Sequence, residues 1–89
     1  MDQIERIIHM ERLYNELQSM LNNVTSFDAL PLCVNDYYQQ LSDYMSSGLW
    51  LQDYEADERG LLHASMPRGV LSQDALYNLL QYYEKKQAE

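Results

Sequence analysis

Four acidic residues and the only tryptophan of the chain lie together near the middle of the sequence. The stretch runs from Trp50 to Glu58 and also contains Asp53, Glu55 and Asp57. Calcium and magnesium prefer oxygen ligands that a bent loop supplies at alternate positions. Paired carboxylates also carry out general acid and base chemistry. Either activity requires the acidic side chains to converge on one point.

The spacing of these acids does not fit a helix-loop-helix calcium site. With Asp53 at the first position of such a loop, Glu58 stands where the loop requires glycine, and Ala64 where it requires a bidentate glutamate. Those two positions define the site, so we expect no metal ligands and no bound cofactor. A metal-binding protein or enzyme that uses the same carboxylates is kept as an alternative hypothesis.

A structural interpretation of the same stretch is favoured. Trp50 and Tyr54 are four residues apart and share one face of a helix, so we expect them in the core with Leu51 beside them. The acids are then expected to project outward, where they are solvated or paired with a base. Arg59 and Arg68 are the nearest candidates, because a guanidinium can hold a carboxylate with two hydrogen bonds.

The binding interpretation uses the same residues. Segments between regular elements often carry binding residues. Arg68 is expected to fasten the segment in place by reaching the acids. The candidate partner-binding residues are Trp50, Asp53, Tyr54, Glu55, Asp57, Glu58 and Arg68.

Nucleophilic catalysis has few candidates elsewhere in the chain. Cys33 is the only cysteine, and it lies beside Val34 with no base near it in sequence. It is therefore expected to be a small buried hydrophobic residue rather than a reactive thiolate. His9 and His63 both lack the spaced partner that a metal site shows, and a packed or surface position is expected for each. We expect a protein that is not an enzyme.

Length and charge limit the class of protein further. A chain of 89 residues with 46% hydrophobic residues predicts one domain with a core. One cysteine excludes an internal disulfide, and a reducing, cytoplasmic location is expected. A net charge of −8 with scattered bases argues against direct contact with nucleic acid or a membrane surface. We find no apolar run near the roughly 20 residues that cross a bilayer.

Apolar residues recur at three- and four-residue spacing in three segments, as they do on the buried face of a helix. Gly48 is placed to close the second helix, and Ser72 to cap the last. The predicted segments are helix one at about 2–24, helix two at about 31–46, a structured connector at 49–71 and helix three at about 73–86. The fold class is therefore all-α, an antiparallel helical hairpin plus the connector and a C-terminal third helix in a small helical bundle.

Two stretches of this sequence resemble a known family. The runs Gly48–Glu58 and Arg68–Tyr77 are similar to small bacterial proteins known only as domain of unknown function 4298, and the opening Gln3–Ile7 is similar as well. The resemblance extends over nearly the whole chain and implies a bacterial, intracellular protein. It implies no activity, because no catalytic or binding residues are established for that family.

Three functions are compatible with the sequence. The leading hypothesis is a protein-interaction module that docks a partner protein or forms a homodimer, because eight tyrosines exceed what one small core needs. The second is an acidic inhibitor that mimics nucleic-acid phosphates and binds a basic protein. The third is the carboxylate-based metal-binding protein or enzyme.

Overall fold

The computed structural model describes residues 2–23 and 31–87. This part of the chain contains four helices, and no strand occurs in it: α1 (Gln3–Asn23), α2 (Cys33–Ser46), α3 (Leu49–Glu58) and α4 (Gln73–Gln87). The predicted all-α helical bundle is confirmed. The last helix of the prediction corresponds to α4, and the predicted connector contains α3 as an additional helix.

α1 and α2 form an antiparallel pair, and α4 packs against both. The direction follows from two side-chain contacts: His9 of α1 hydrogen-bonds Gln40 of α2 at 3.1 Å, and Tyr37, earlier in α2, hydrogen-bonds Glu16, later in α1. Tyr38 of α2 and Tyr83 of α4 contact each other with ring centroids 4.6 Å apart. These contacts bring the apolar stripes of the three long helices together around one core.

The core draws on every helix and on the loop before α4. Its fully buried aliphatic side chains come from α1, α2, α4 and that loop, whereas α3 adds an aromatic residue, Trp50. The fully buried aliphatic members are Ile7, Leu13, Leu17, Leu41, Val70 and Leu76.

Glycines set the short turns at both ends of α3. Gly48 has φ +91° and Gly60 has φ +71°, a left-handed conformation that other residues adopt only with strain. Gly48 ends α2 as predicted, and the chain re-enters a helix at the next residue, Leu49. Ser72 caps α4 as predicted, because its hydroxyl oxygen accepts the backbone N–H of Ala75 at 3.4 Å.

Two burial predictions are wrong. Cys33 is exposed at the first position of α2, and the next residue, Val34, takes the buried position. Leu51 is 50% exposed, although Trp50 and Tyr54 lie with the core as predicted. The physical reason is the same in both places: consecutive side chains on a helix point about 100° apart, so a neighbour of a buried residue easily faces outward.

Candidate functional site

Asp53 of α3 is the centre of a buried polar cluster that joins three helices. Its side chain is fully buried and accepts two hydrogen bonds from Arg6 of α1, one of them at 3.0 Å from Nε. The Tyr44 hydroxyl of α2 donates to Asp53 at 2.6 Å, and the Gln3 amide donates at 3.0 Å. Four donors therefore satisfy the two carboxylate oxygens, as a buried charge requires.

The protonation states in this cluster follow from its contacts. Burial by itself would raise the pKa of the Asp53 carboxyl group, but hydrogen bonds from Arg6, Tyr44 and Gln3 lower it further than burial raises it. The pKa of Asp53 consequently lies below its usual value of 3.8. Burial and the bond to Asp53 raise the pKa of Tyr44 well above its usual value. Tyr44 is thus a neutral donor, and Arg6 and Asp53 form an ion pair.

Trp50 anchors the loop that precedes α4. Its indole N–H donates to the backbone carbonyl oxygen of Val70 at 3.0 Å, and the ring stacks on Tyr54 with centroids 5.1 Å apart. The backbone N–H of the same residue, Val70, donates to the Glu11 carboxylate of α1 at 2.7 Å. Both backbone groups of Val70 are therefore held by side chains of two different helices.

Gly69 allows Glu11 to approach this backbone. A Cβ atom at residue 69 would lie 2.8 Å from one carboxylate oxygen of Glu11 and 3.2 Å from the other. Any side chain at this position would displace the carboxylate that accepts the Val70 N–H. Glycine is needed at position 69 for steric reasons and not for its backbone conformation, because among the described residues only Gly48 and Gly60 have a positive φ.

Arg68 organises the rest of the same loop. Its Nε donates to Asp57 of α3 at 2.6 Å. The terminal nitrogens donate to backbone carbonyl oxygens of the loop itself, at 3.0 to 3.5 Å. One guanidinium therefore ties α3 to the loop, and the prediction that Arg68 fastens the connector by reaching the acids is confirmed.

The remaining residues of the candidate set are partly or fully exposed. Glu55 and Glu58 are exposed, and Tyr54 is half-buried. The charge of Glu58, one turn farther along α3, and the hydrogen bond that the Tyr54 hydroxyl donates to the Glu58 carboxylate raise the pKa of Tyr54. Arg59 is exposed and takes part in none of the ion pairs found in the described residues.

The structure thus divides the candidate residues into two groups. Trp50, Asp53, Asp57 and Arg68 make the internal contacts described above, whereas Tyr54, Glu55 and Glu58 reach the surface. The prediction that all four acids project outward is wrong for Asp53. Its ion-pair partner is Arg6 of α1, whereas Arg68 pairs with Asp57 of the same helix.

Sequence reasoning missed five contributors to these contacts: Gln3, Arg6, Glu11, Tyr44 and Gly69. The available signal was weak, because Gln3, Arg6 and Glu11 lie 47 to 59 positions from the groups that they bind. Gln3 and Arg6 do belong to the opening run that resembles the family, and that run is where the partner of a buried acid could have been sought.

Within residues 2–23 and 31–87, no three His, Cys, Asp or Glu side chains are grouped so that they could bind a metal ion. None of the helices described for this chain combines the length and the apolar character needed to cross a membrane.

Open grooves separate the helices on the surface. One, between α1 and α4, has a volume of about 380 Å³ and is lined in part by Tyr14 and Tyr82. Another, between α2 and α4, has a volume of about 180 Å³ and is lined in part by Met45 and Tyr77. A third, between α1, α2 and the start of α3, measures about 320 Å³ and lies over Tyr44.

Comparison with known proteins places the chain in a family. Neither a curated protein nor a solved structure matches it. A family model described as domain of unknown function (DUF4298) matches residues 7–88, which is nearly the whole chain and includes both motifs around α3 and the loop before α4. This protein therefore belongs to the DUF4298 family.

Proposed function

We propose that this protein is a non-catalytic protein-interaction module and that the outer face of α3 is part of its binding surface. The single observation that carries the proposal is the distribution of residues around α3. This helix buries a charged residue, Asp53, completely, whereas Leu51, on the opposite side of the helix, is 50% exposed. An apolar side chain surrounded by charged residues matches the arrangement of a protein-binding site, which has an apolar centre and a polar rim.

The distribution of tyrosines supports the same proposal. Tyr14, Tyr44 and Tyr83 are buried, but Tyr77 and Tyr82 are 53% and 43% exposed beside the grooves that flank α4. Tyrosine is enriched at protein interfaces, because its ring buries apolar area and its hydroxyl group keeps a hydrogen bond. The chain therefore carries more aromatic surface than its core uses.

The polar residues of the family motif favour binding over catalysis. Asp53, Asp57 and Arg68 are engaged in contacts that fix α3 and the loop, so they support the surface from within. Glu55 and Glu58 remain outside, where charges select among partners more than they add affinity. The motif thus builds a rigid helix with an apolar and acidic outer face.

A capture experiment with matched variants tests the proposal. The tagged protein, its Leu51→Gln variant (the α3 variant) and a Leu61→Gln control are incubated with extract of the native cells, and bound proteins are identified by mass spectrometry. Leu61 is 69% exposed outside α3, so its substitution matches the chemistry at another place. We expect proteins that bind the wild type and the control to be absent from the α3 variant. Identical sets for all three would refute the proposal.

Two parallel measurements make the result interpretable. Circular dichroism establishes that the α3 variant keeps its helices, which the exposure of Leu51 leads us to expect. Light scattering of each protein over a range of concentrations separates the loss of a partner protein from the loss of a homodimer.

A further inference from the structure

We infer that the groove over Tyr44 binds an apolar side chain from a basic segment of a partner protein. This inference rests on the proposed function and names the chemistry of the partner. The groove lies where α1, α2 and the first turn of α3 meet. Its lining residues are Met10, Gln40, Asp43, Tyr44, Ser47 and Leu49.

The shape of the groove suits one large apolar side chain. Its volume is about 320 Å³, and Tyr44, which is only 2% exposed, lies beneath it. Met10 is half-buried and Leu49 is 36% exposed, so both offer apolar surface that a partner side chain can cover. The Tyr44 hydroxyl is already bonded to Asp53, which holds this part of the groove in position before any partner arrives.

The charge around the groove selects the occupant. No lysine or arginine occurs between Arg12 and Arg59, so α2 and α3 carry acids and no bases. Arg6 and Arg68, from outside these helices, compensate two of those acids. The acids of α2 and α3 that form none of the ion pairs found in the described residues are Asp36, Asp43, Glu55 and Glu58.

Asp43 brings this uncompensated charge to the edge of the groove. Its carboxylate accepts a hydrogen bond from the exposed amide of Gln39 at 3.0 Å, which leaves the negative charge unneutralised. A lysine or arginine next to the inserted apolar residue would meet that carboxylate. A second copy of the chain is a poor occupant, because each copy carries a net charge of −8 and brings the same acids to the contact.

Two synthetic peptides test the chemistry of the partner. Both have leucine at helical spacing; one has lysine at its polar positions and the other has glutamate. The full-length protein carries ¹³C in its methionine methyl groups, so Met10 reports on the groove while Met20, Met45 and Met66 report on other surfaces. We expect the lysine peptide to shift the Met10 signal in a saturable way and the glutamate peptide to leave it unchanged.

Variants then locate the contact. Asp43→Asn should weaken lysine-peptide binding about two- to fivefold at low salt, with the difference lost at high salt. Leu49→Gln should weaken it as well, whereas Leu61→Gln should not. Asp43 is exposed near the end of α2, where an acid opposes the helix dipole, so its removal leaves the fold intact.

Four results would overturn the inference. The first three are equal binding of both peptides, binding of the lysine peptide without a shift at Met10, and a Met10 shift that depends on protein concentration in the absence of peptide. Failure of the lysine peptide to bind also overturns it, whereas the capture experiment with the α3 variant decides the proposed function separately. If the α3 variant still loses its cellular partners, the proposed function stands and only the inference about the groove is wrong.

Discussion

Arg6 donates two hydrogen bonds to Asp53 across 47 positions of sequence, from the first turns of α1 to the middle of α3. The two side chains are 15% and 0% exposed, so neither can exchange its partner for bulk water. A buried ion pair of this kind adds little stability over a well-packed apolar pair, but the loss of one member leaves the other charge uncompensated. The pair therefore fixes where α3 sits more than it stabilises the fold.

Single substitutions in this pair should be costly and strongly non-additive. We expect Asp53→Asn and Arg6→Met each to lower the free energy of unfolding by about 3 kcal/mol. The double variant should lose much less than the sum, because it leaves no unpaired charge. Urea denaturation of the four proteins measures this cycle. Additive losses would mean that the two side chains do not interact as described.

An exposed pair on the same helix provides the control. Arg12 and Glu16 lie one turn apart on α1 at 3.6 Å, with side chains 69% and 42% exposed. Arg12→Met should change the free energy of unfolding by no more than about 0.5 kcal/mol, since exposed pairs are screened by solvent.

The free energy of unfolding at acidic pH should reflect the lowered pKa of Asp53. A group whose pKa is lower in the folded state stabilises the protein above its unfolded-state pKa, usually 3.8, and that contribution is lost as pH falls through the folded-state value. The stability difference between wild type and Asp53→Asn should stay constant down to about pH 5 and shrink only below the usual value. Urea midpoints at a series of pH values measure it. A difference that widens on acidification would mean that the pKa is raised.

The indole N–H of Trp50 should contribute more to the free energy of unfolding than the hydroxyl group of Tyr54. Trp50→Phe keeps an aromatic ring but leaves the buried carbonyl of Val70 without its donor, so we expect a loss of about 2 kcal/mol. Tyr54→Phe keeps the stacked ring and removes a hydroxyl group near exposed Glu58, with an expected change below about 0.5 kcal/mol. Thermal and urea unfolding of both variants provide the comparison. Equal losses would show that the hydrogen bond to Val70 is unimportant.

The effect of Gly69→Ala on the free energy of unfolding should have opposite signs with glutamate and with alanine at position 11. In the wild type, Gly69→Ala pushes the Glu11 carboxylate away from the Val70 N–H, and we expect a loss of about 1 kcal/mol. In a Glu11→Ala background nothing opposes the new methyl group. Alanine should then stabilise the protein by about 0.4–1 kcal/mol by restricting the unfolded chain. The same sign in both backgrounds would contradict the steric role of Gly69.

Replacement of Arg68 should loosen one loop rather than the whole fold. Lysine keeps the charge at position 68 but cannot reach Asp57 and several loop carbonyls together. We expect Arg68→Lys to accelerate hydrogen exchange of the amides in residues 61–69 at least about fivefold, with little change in α1 and α2. Arg59→Lys is the matched control, because Arg59 is exposed, and it should leave exchange unchanged. Faster exchange throughout the bundle would point to a global role for Arg68.

The bundle and parts of the site could be predicted because their signals are local. Gly48 and Ser72 act within a few residues, and Trp50 and Tyr54 share a face through helical geometry alone. Arg68 could be assigned to the acids because only eleven positions separate it from Asp57.

The buried position of Asp53 could not be predicted in this way. The four acids of α3 look equivalent in sequence, since apolar and acidic residues are mixed around this helix rather than divided between two faces. Asp53 differs from the other three acids because Arg6, Gln3 and Tyr44 donate hydrogen bonds to it. Arg6 and Gln3 lie on α1, which begins about fifty residues earlier in the sequence. The burial of Cys33 and Leu51 was predicted wrongly for a related reason. Helical periodicity indicates where the apolar face of a helix lies but not how wide it is.

The polar links to α1 also constrain the order in which a newly synthesised chain can fold. His9 hydrogen-bonds a residue 31 positions later in the sequence, Arg6 one 47 positions later and Glu11 one 59 positions later. While the ribosome is still making α3 and the loop, the first helix can pair only with α2, and its charged groups stay in water. Final docking of α1 must therefore follow release of most of the chain, and a nascent chain halted before Val70 should lack the fixed geometry of α3.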